Sequence, residues 1–516
     1  MRRLKPGQRV GQASIPLLIA AVLLVTTIFG VSSVLRYCTF HAATFDLGIM
    51  TQVVWNTSQG RWFETSIDRA TNEALIGSYL GNHVRPFLIL LAPLYRLWPD
   101  PRLLLVLQAA ALGVAAFPLC AIVVSKTGDR LGGLIISCCY LAYPALGFLN
   151  LVDFHPVAFT IPAILVAYWA LMEERRLLFL GMVLLALSTK EEMVVPIGSW
   201  GLVLLLQPDR RRIGVGLVAL AALWAAVCFG VVIPLHNEGE PYRFWQLWSQ
   251  LPGLSGSETV QGGTAQSVGG GSAATMALFL VHLFLPLGFL PFFGPSSLVV
   301  ALPSLIYLLL GERPAFHSVG YQYPAVLIPW FFLAVAEGLP RARRRSAGVG
   351  SVRLYRLGLA FLLIGSIGAN VPLNPILLNA RVGSFSPEPS HAQVEAALDL
   401  IPPGSGVATI NRLGPPLVNR RVLVAFEYPA PFRLDHVRMA DYVLLDLVDC
   451  RLVPAPDPRA EYTDVVMQVL QSGDFQVRYW SGDRILLLEK GAPGDRLADV
   501  EAYVVDLAAQ GRPCWP

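Results

Sequence analysis

The sequence predicts an all-α polytopic membrane domain of about eleven transmembrane helices, followed by a small extracytoplasmic α/β domain. Three observations carry this. Of 516 residues, 54% are hydrophobic and only 14% charged, whereas a soluble domain carries about 25% charged residues. So little charge does not cover the surface of a water-soluble protein of this size, and a fully soluble enzyme is excluded. Mean hydropathy is +0.55, and apolar runs near the roughly 20 residues that cross the hydrocarbon core recur along the chain. Beyond Asn370 the pattern changes to short strand-like and helix-like stretches. A net charge of +4 is too small and dispersed for nucleic acid.

The first span runs from about Ile15 to Leu35, behind the basic leader Arg2, Arg3, Lys5 and Arg9. It exceeds a signal-peptide core and lacks a clear cleavage site before Arg36, so it is expected to be a retained anchor. Further spans are expected near Leu103–Val124, Leu131–Leu149, Pro156–Met172, Leu177–Thr189, Met193–Leu206, Ile213–Leu235, Thr275–Phe292, Ser296–Leu310, Tyr323–Ala336 and Leu354–Asn370. Several carry proline, which membrane helices tolerate when neighbours satisfy the freed carbonyls.

Arginine placement orients these spans. With the leader in the cytoplasm, the loops bearing Lys126 and Arg130, Arg175 and Arg176, Arg210–Arg212, and Arg341, Arg343, Arg344 and Arg345 all fall inside, as short basic loops should. A multi-pass protein of the inner (plasma) membrane is expected, with its tail outside. Residues 1–372 then form the transmembrane domain, with interfacial helices in the 36–102 loop, and residues 373–516 the extracytoplasmic domain. In that tail, helical patterns near His391–Leu400 and Tyr462–Leu470 alternate with strand-like Val407–Ile410, Val422–Phe426, Tyr442–Asp446, Phe475–Trp480 and Arg484–Leu488. Cys450 and Cys514 fall in the tail, where they either pair in an oxidising compartment or stay free.

The same threading gathers Asp46, Glu64, His83, Asp153, His155, Lys190, Glu191, Glu192, His236, Arg313 and His317 on the outer face. Ionisable groups next to hydrocarbon are costly and usually have a task. Asp46 opens a helix-like stretch through Trp55, where it either complements the helix macrodipole or serves chemistry. Asn82-His83, followed by Arg85-Pro86, stands just before an apolar stretch, where His83 is a ligand, a phosphate donor or an interface anchor. Asp153-Phe154-His155-Pro156 joins an acid and an imidazole at a turn; its plainer role is to cap a Pro-initiated helix. Lys190-Glu191-Glu192 lies between short apolar segments, so its charges must pair, reach water or act on a ligand. Ser255–Ser272 is expected to be a flexible loop, and Tyr242, Trp245 and Trp248 an interfacial aromatic belt.

Phe45-Asp46-Leu47-Gly48, Trp55-Asn56, Asn82-His83, Gln108, Asp153-Phe154-His155-Pro156 and Lys190-Glu191-Glu192 together resemble a prokaryotic membrane-protein family, domain of unknown function 2079. Ile401-Pro402-Pro403-Gly404 and Ala440–Asp446 extend the resemblance into the tail. That family is grouped with the GT-C membrane glycosyltransferases, which implies a GT-C-like fold and transfer of a sugar from a polyprenyl-phosphate donor on the outer face. The resemblance puts Asp46 in the place of the first-loop acid, with Asp153, His155, Lys190 and Glu191 as further catalytic candidates. His83, Arg85, Glu192, Arg313 and His317 are substrate-binding candidates. The chain departs from the family pattern at Tyr321-Gln322-Tyr323, where relatives have His-Tyr, and at Pro415-Pro416, where they have Pro-His.

Two other expectations stand beside this one. A transporter or non-catalytic lipid-binding protein would place its ionisable groups near the midplane in repeat-related halves, and no internal repeat is present. A divalent-cation site, Mg²⁺ or Mn²⁺, would draw on Asp46, His83, Asp153, His155 and Glu191, although no compact ligand motif is present.

Overall fold

The structure is a computed structural model that describes residues 6–67, 75–238, 242, 272–311, 313–345, 349–426, 432–449 and 458–510. The leader residues Arg2, Arg3 and Lys5, the loop from Ser255 as far as residue 271, Trp245, Trp248, Cys450 and Cys514 lie outside the described residues. The chain divides into two compact units that interleave in sequence. One comprises Met1–Val34, Leu80–Leu88 and Leu104–Gly383; the other comprises Leu35–Tyr79, Ile89–Leu103 and Ser384–Pro516.

Helices make up the first unit. Each apolar stretch named from the sequence lies on helical structure, and four helices are long and apolar enough to cross a bilayer: Ser14–Cys38, Pro101–Thr127, Pro208–His236 and Val352–Arg381. Arg130–Leu141 and Pro144–Leu151, bent by 43°, make a fifth if counted as one broken span. Only 28%, 22% and 22% of the apolar windows in the first, third and fourth of these are buried inside the protein. Exposed apolar surface of this extent suits contact with lipid. The other helices, among them Pro156–Met172, Arg176–Thr189, Ala273–Leu287 and Pro295–Leu310, are shorter.

Their packing follows membrane rules. Gly201 and Gly214 face each other across the helix pair Val194–Leu205 and Arg211–Val227; a Cβ on Gly214 would stand 2.7 Å from the Gly201 carbonyl oxygen. Small residues let backbones approach this closely where no hydrophobic drive joins helices. Trp200 and Trp330 meet edge to face at 5.2 Å within the unit's single large apolar cluster. Nearby, the buried Glu337 carboxylate accepts the Tyr168 hydroxyl at 2.8 Å and the Ser297 hydroxyl at 2.9 Å.

The second unit carries a five-stranded sheet. Its strands are β1 (Val407–Thr409), β2 (Leu423–Ala425), β3 (Tyr442–Asp446), β4 (Phe475–Trp480) and β5 (Ile485–Lys490), in the spatial order β2-β1-β3-β5-β4. The β2–β1 and β1–β3 pairs are parallel, while β3–β5 and β5–β4 are antiparallel. Every residue of β3 is buried, as a central strand covered on both faces requires. Helices Pro389–Leu398, Pro458–Leu470 and Leu497–Ala509 accompany the sheet. The unit also takes in Thr44–Ser58 and a two-stranded ladder pairing Glu64–Thr65 with Gly77–Ser78.

Candidate functional site

In the helical unit, Glu191 is the centre of the ionisable cluster. The helix Arg176–Thr189 ends at Lys190, whose backbone is extended, and a short 3-10 turn covers Glu191–Met193. This geometry sends the three charges different ways. Lys190 and Glu192 pair with each other, Nζ to Oε2 at 2.6 Å, and the Tyr307 hydroxyl approaches Glu192 Oε1 at 3.4 Å. The Glu191 carboxylate is 0% exposed.

Three donors close on Glu191. His83 Nδ1 lies 2.7 Å from Oε1, the Tyr242 hydroxyl donates to the same oxygen at 2.7 Å, and the Val84 backbone N–H donates to Oε2 at 3.1 Å. Burial alone would raise the Glu191 pKa, but His83, Lys190 and Arg85 overturn that and hold it well below the usual carboxylate range. Burial pushes the His83 pKa down, against the pull of Glu191. In this hydrogen bond Nδ1 carries the proton that faces the carboxylate. Its side chain is 14% exposed, which keeps the ring at the edge of the cluster. Arg85 is buried and adds positive charge.

The acid–imidazole turn is held by Gln108. Its amide donates to the Asp153 carbonyl at 2.7 Å and accepts the His155 N–H at 2.8 Å. Asp153 sits at φ +57, a left-handed conformation that Asp tolerates better than most residues. Asp153 and His155 are both buried. The hydroxyls of Thr160 and Thr189 share a 2.7 Å hydrogen bond, which ties the helix that follows this turn to the segment leading into Lys190. His317 is buried with Nε2 3.1 Å from the Leu309 carbonyl, so that nitrogen carries the proton. Arg313 is exposed and acts electrostatically on Tyr307.

Asp46 belongs to the second unit. It lies half-buried in a π-helical turn, Thr44–Gly48, a rare form that recurs at functional sites. Among the described residues, no group of three or more His, Cys, Asp or Glu side chains is arranged to hold a metal ion.

Sequence reasoning singled out His83, Arg85, Lys190, Glu191 and Glu192, and the structure brings these together. It missed that Tyr242, placed in an aromatic belt, donates to Glu191, and that Tyr307 reaches Glu192. Neither tyrosine has a local signal, since each partner is distant in sequence.

A family model described as a predicted membrane protein (DUF2079) matches residues 36–485. No curated protein matches the chain in sequence. Among solved structures, the chain is similar to ArnT from Cupriavidus metallidurans bound to undecaprenyl phosphate. The TM-score is 0.55 and the identity 11%, over 92% of this chain and 97% of that one. The apo state of the same protein gives a TM-score of 0.51 at 12% identity, over 93% and 98%. At such identities the likeness is one of fold.

Proposed function

The chain belongs to the DUF2079 membrane-protein family, and from that premise we propose that it transfers a sugar from a polyprenyl-phosphate donor to an acceptor on the extracytoplasmic face. Its fold is shared with a protein solved with undecaprenyl phosphate bound, which supports a polyprenyl lipid as partner alongside the bilayer. The observation that carries the reading is the buried, ionised Glu191 with His83, Arg85 and Lys190 around it in a unit made of apolar helices. A charged cluster of this kind is costly beside lipid and marks a site of action.

In the proposed reaction, Asp46 takes the proton of the acceptor hydroxyl as general base. The acceptor oxygen bonds to the anomeric carbon as the bond from that carbon to the phosphate oxygen breaks. The leaving polyprenyl phosphate gains negative charge and needs cations to offset it; Lys190, Arg85 and Arg313 are the cations nominated from the sequence. Glu191 holds His83 by its Nδ1 proton, and Asp153, His155, Glu192 and His317 serve to bind and orient. In this proposal the N-terminus is cytoplasmic, residues 373–516 are extracytoplasmic, and the protein resides in the inner membrane.

The test is transfer from an undecaprenyl-phosphate sugar in proteoliposomes. Asp46→Asn is expected to lower the rate by about 10²–10⁴-fold while thermal unfolding stays that of the parent protein. Undiminished transfer by Asp46→Asn removes the proposed base. Donor binding with no transfer by the parent protein favours a non-catalytic lipid-binding protein or transporter instead.

A further inference from the structure

We propose that Asn411 is the positioning residue for Asp46, setting the conformation of the π-helical turn from the far end of the chain. The proposal rests on the assignment of Asp46 as the base.

The first backbone N–H groups of any helical turn have no partner within it and are ordinarily met by a Ser, Thr, Asp or Asn at the N-cap. Here the N-cap is Ala43, which has no side-chain acceptor to offer. The need is met from 366 residues away: the Phe45 N–H donates to Asn411 Oδ1 at 3.1 Å. The Thr44 hydroxyl donates to the Asn411 backbone carbonyl. Both acceptors of Asn411 are thus spent on the two residues immediately before Asp46. Within the turn, the Gly48 N–H reaches back to the Ala43 carbonyl at 3.1 Å, the wide spacing that separates this turn from an α-helix. An α-helical alternative would rotate Asp46 about the helix axis.

Asn411 is itself rigidly placed. It follows β1 at the carboxyl end of the parallel strands, the edge where such sheets present their functional loops. Its neighbour Arg412 pairs with the fully buried Asp446, at the end of β3, and with Asp449 at 2.9 Å. Arg484 adds a second guanidinium to Asp446 at 2.8 Å, and the Tyr462 hydroxyl caps the Asp446 carbonyl at 2.8 Å. Room is equally constrained: a Cβ on Gly414 would lie 2.8 Å from Thr44 Cγ2 and closer still to its hydroxyl. Only glycine lets the loop after Asn411 close on Thr44.

The experiment compares Asn411→Ala and Asn411→Asp in the full-length protein, with and without Asp46→Asn. Asn411→Asp keeps an acceptor for Phe45 and is expected to transfer at near the parent rate. Asn411→Ala is expected to lower kcat by about 10–100-fold, the scale of a small misplacement of a reacting group, with KM little changed. In the Asp46→Asn background it should cause no further loss. Hydrogen exchange gives a readout independent of activity: amides 45–49 should exchange faster in Asn411→Ala, while those of β3 keep their protection. Gly414→Ala should have the same two effects. Full transfer by Asn411→Ala, an equal loss in the Asp46→Asn background, or unchanged exchange at 45–49 would overturn the proposal. If the parent protein shows no transfer, the functional assignment fails, and the exchange result still judges the positioning claim.

Discussion

Glu191 in the helical unit and Asp446 in the sheet unit are both fully buried carboxylates, and they are satisfied in opposite ways. Asp446 is closed by two guanidiniums, Arg412 and Arg484, and by the backbone N–H groups of Val448 at 3.0 Å and Asp449 at 3.3 Å. Glu191 accepts from an imidazole, a phenol and one backbone N–H, and Lys190 and Arg85 act on it electrostatically. The first arrangement is an electrically balanced lock that joins loop to strand. The second holds its charge largely through hydrogen-bond dipoles, with Lys190 paired to the neighbouring Glu192. Two equally buried carboxylates thus differ in who donates to them, a distinction that burial alone does not draw.

The largest expected effect breaks the lock. Asp446→Ala leaves the buried Arg412 and half-buried Arg484 guanidiniums without their shared acceptor and is expected to cost about 3–5 kcal/mol, read as a lower unfolding midpoint of the sheet unit. Glu191→Gln is expected to cost less, about 1–3 kcal/mol, because an imidazole, a phenol and a backbone N–H donate to it. The new amide must still turn its NH₂ toward His83 Nδ1–H or the Val84 N–H, setting donor against donor. If Glu191→Gln proves the more damaging of the two, the contrast between them fails.

Acidification sharpens the same comparison. The His83 pKa is lowered in the folded protein, so its contribution is full above the unfolded value of about 6.5 and is lost as pH falls below it, because the unfolded chain binds the proton more readily. Glu191 has a depressed pKa as well and holds its contribution to far lower pH. Melting temperature should thus begin to fall between pH 7 and pH 5, and His83→Gln should remove that first decline. An identical decline in the variant would assign it to other groups. The smallest effect is expected for Tyr242→Phe, which removes one of three donors to Glu191 and costs about 1 kcal/mol, measured by denaturant or thermal unfolding.

Much of the local structure was legible in the chain. Apolar runs marked the helices because a membrane span announces itself by length and composition, and short apolar runs marked strands such as Tyr442–Asp446 for similar local reasons. His83, Arg85, Lys190, Glu191 and Glu192 stood out because charge beside hydrocarbon is rare. Their division of labour did not. Lys190-Glu191-Glu192 reads as three equivalent charges until an extended residue and a 3-10 turn send Lys190 to Glu192 and Glu191 to His83. Gln108 carried only a resemblance, yet it clamps both ends of the Asp153–His155 turn.

By itself the sequence determined which segments are apolar enough to need lipid, which favour strands, and which residues carry charge where charge is costly. These are properties of short windows, governed by side-chain chemistry and period. Only the tertiary structure decided that Glu191 faces His83 across 108 positions and that Asn411 caps the turn of Asp46 across 366. The two donors at Thr44 and Phe45 and the buried carboxylate at Glu191 each demanded a partner, but a hydrogen bond specifies geometry and not sequence distance. Packing chose which distant residue answered.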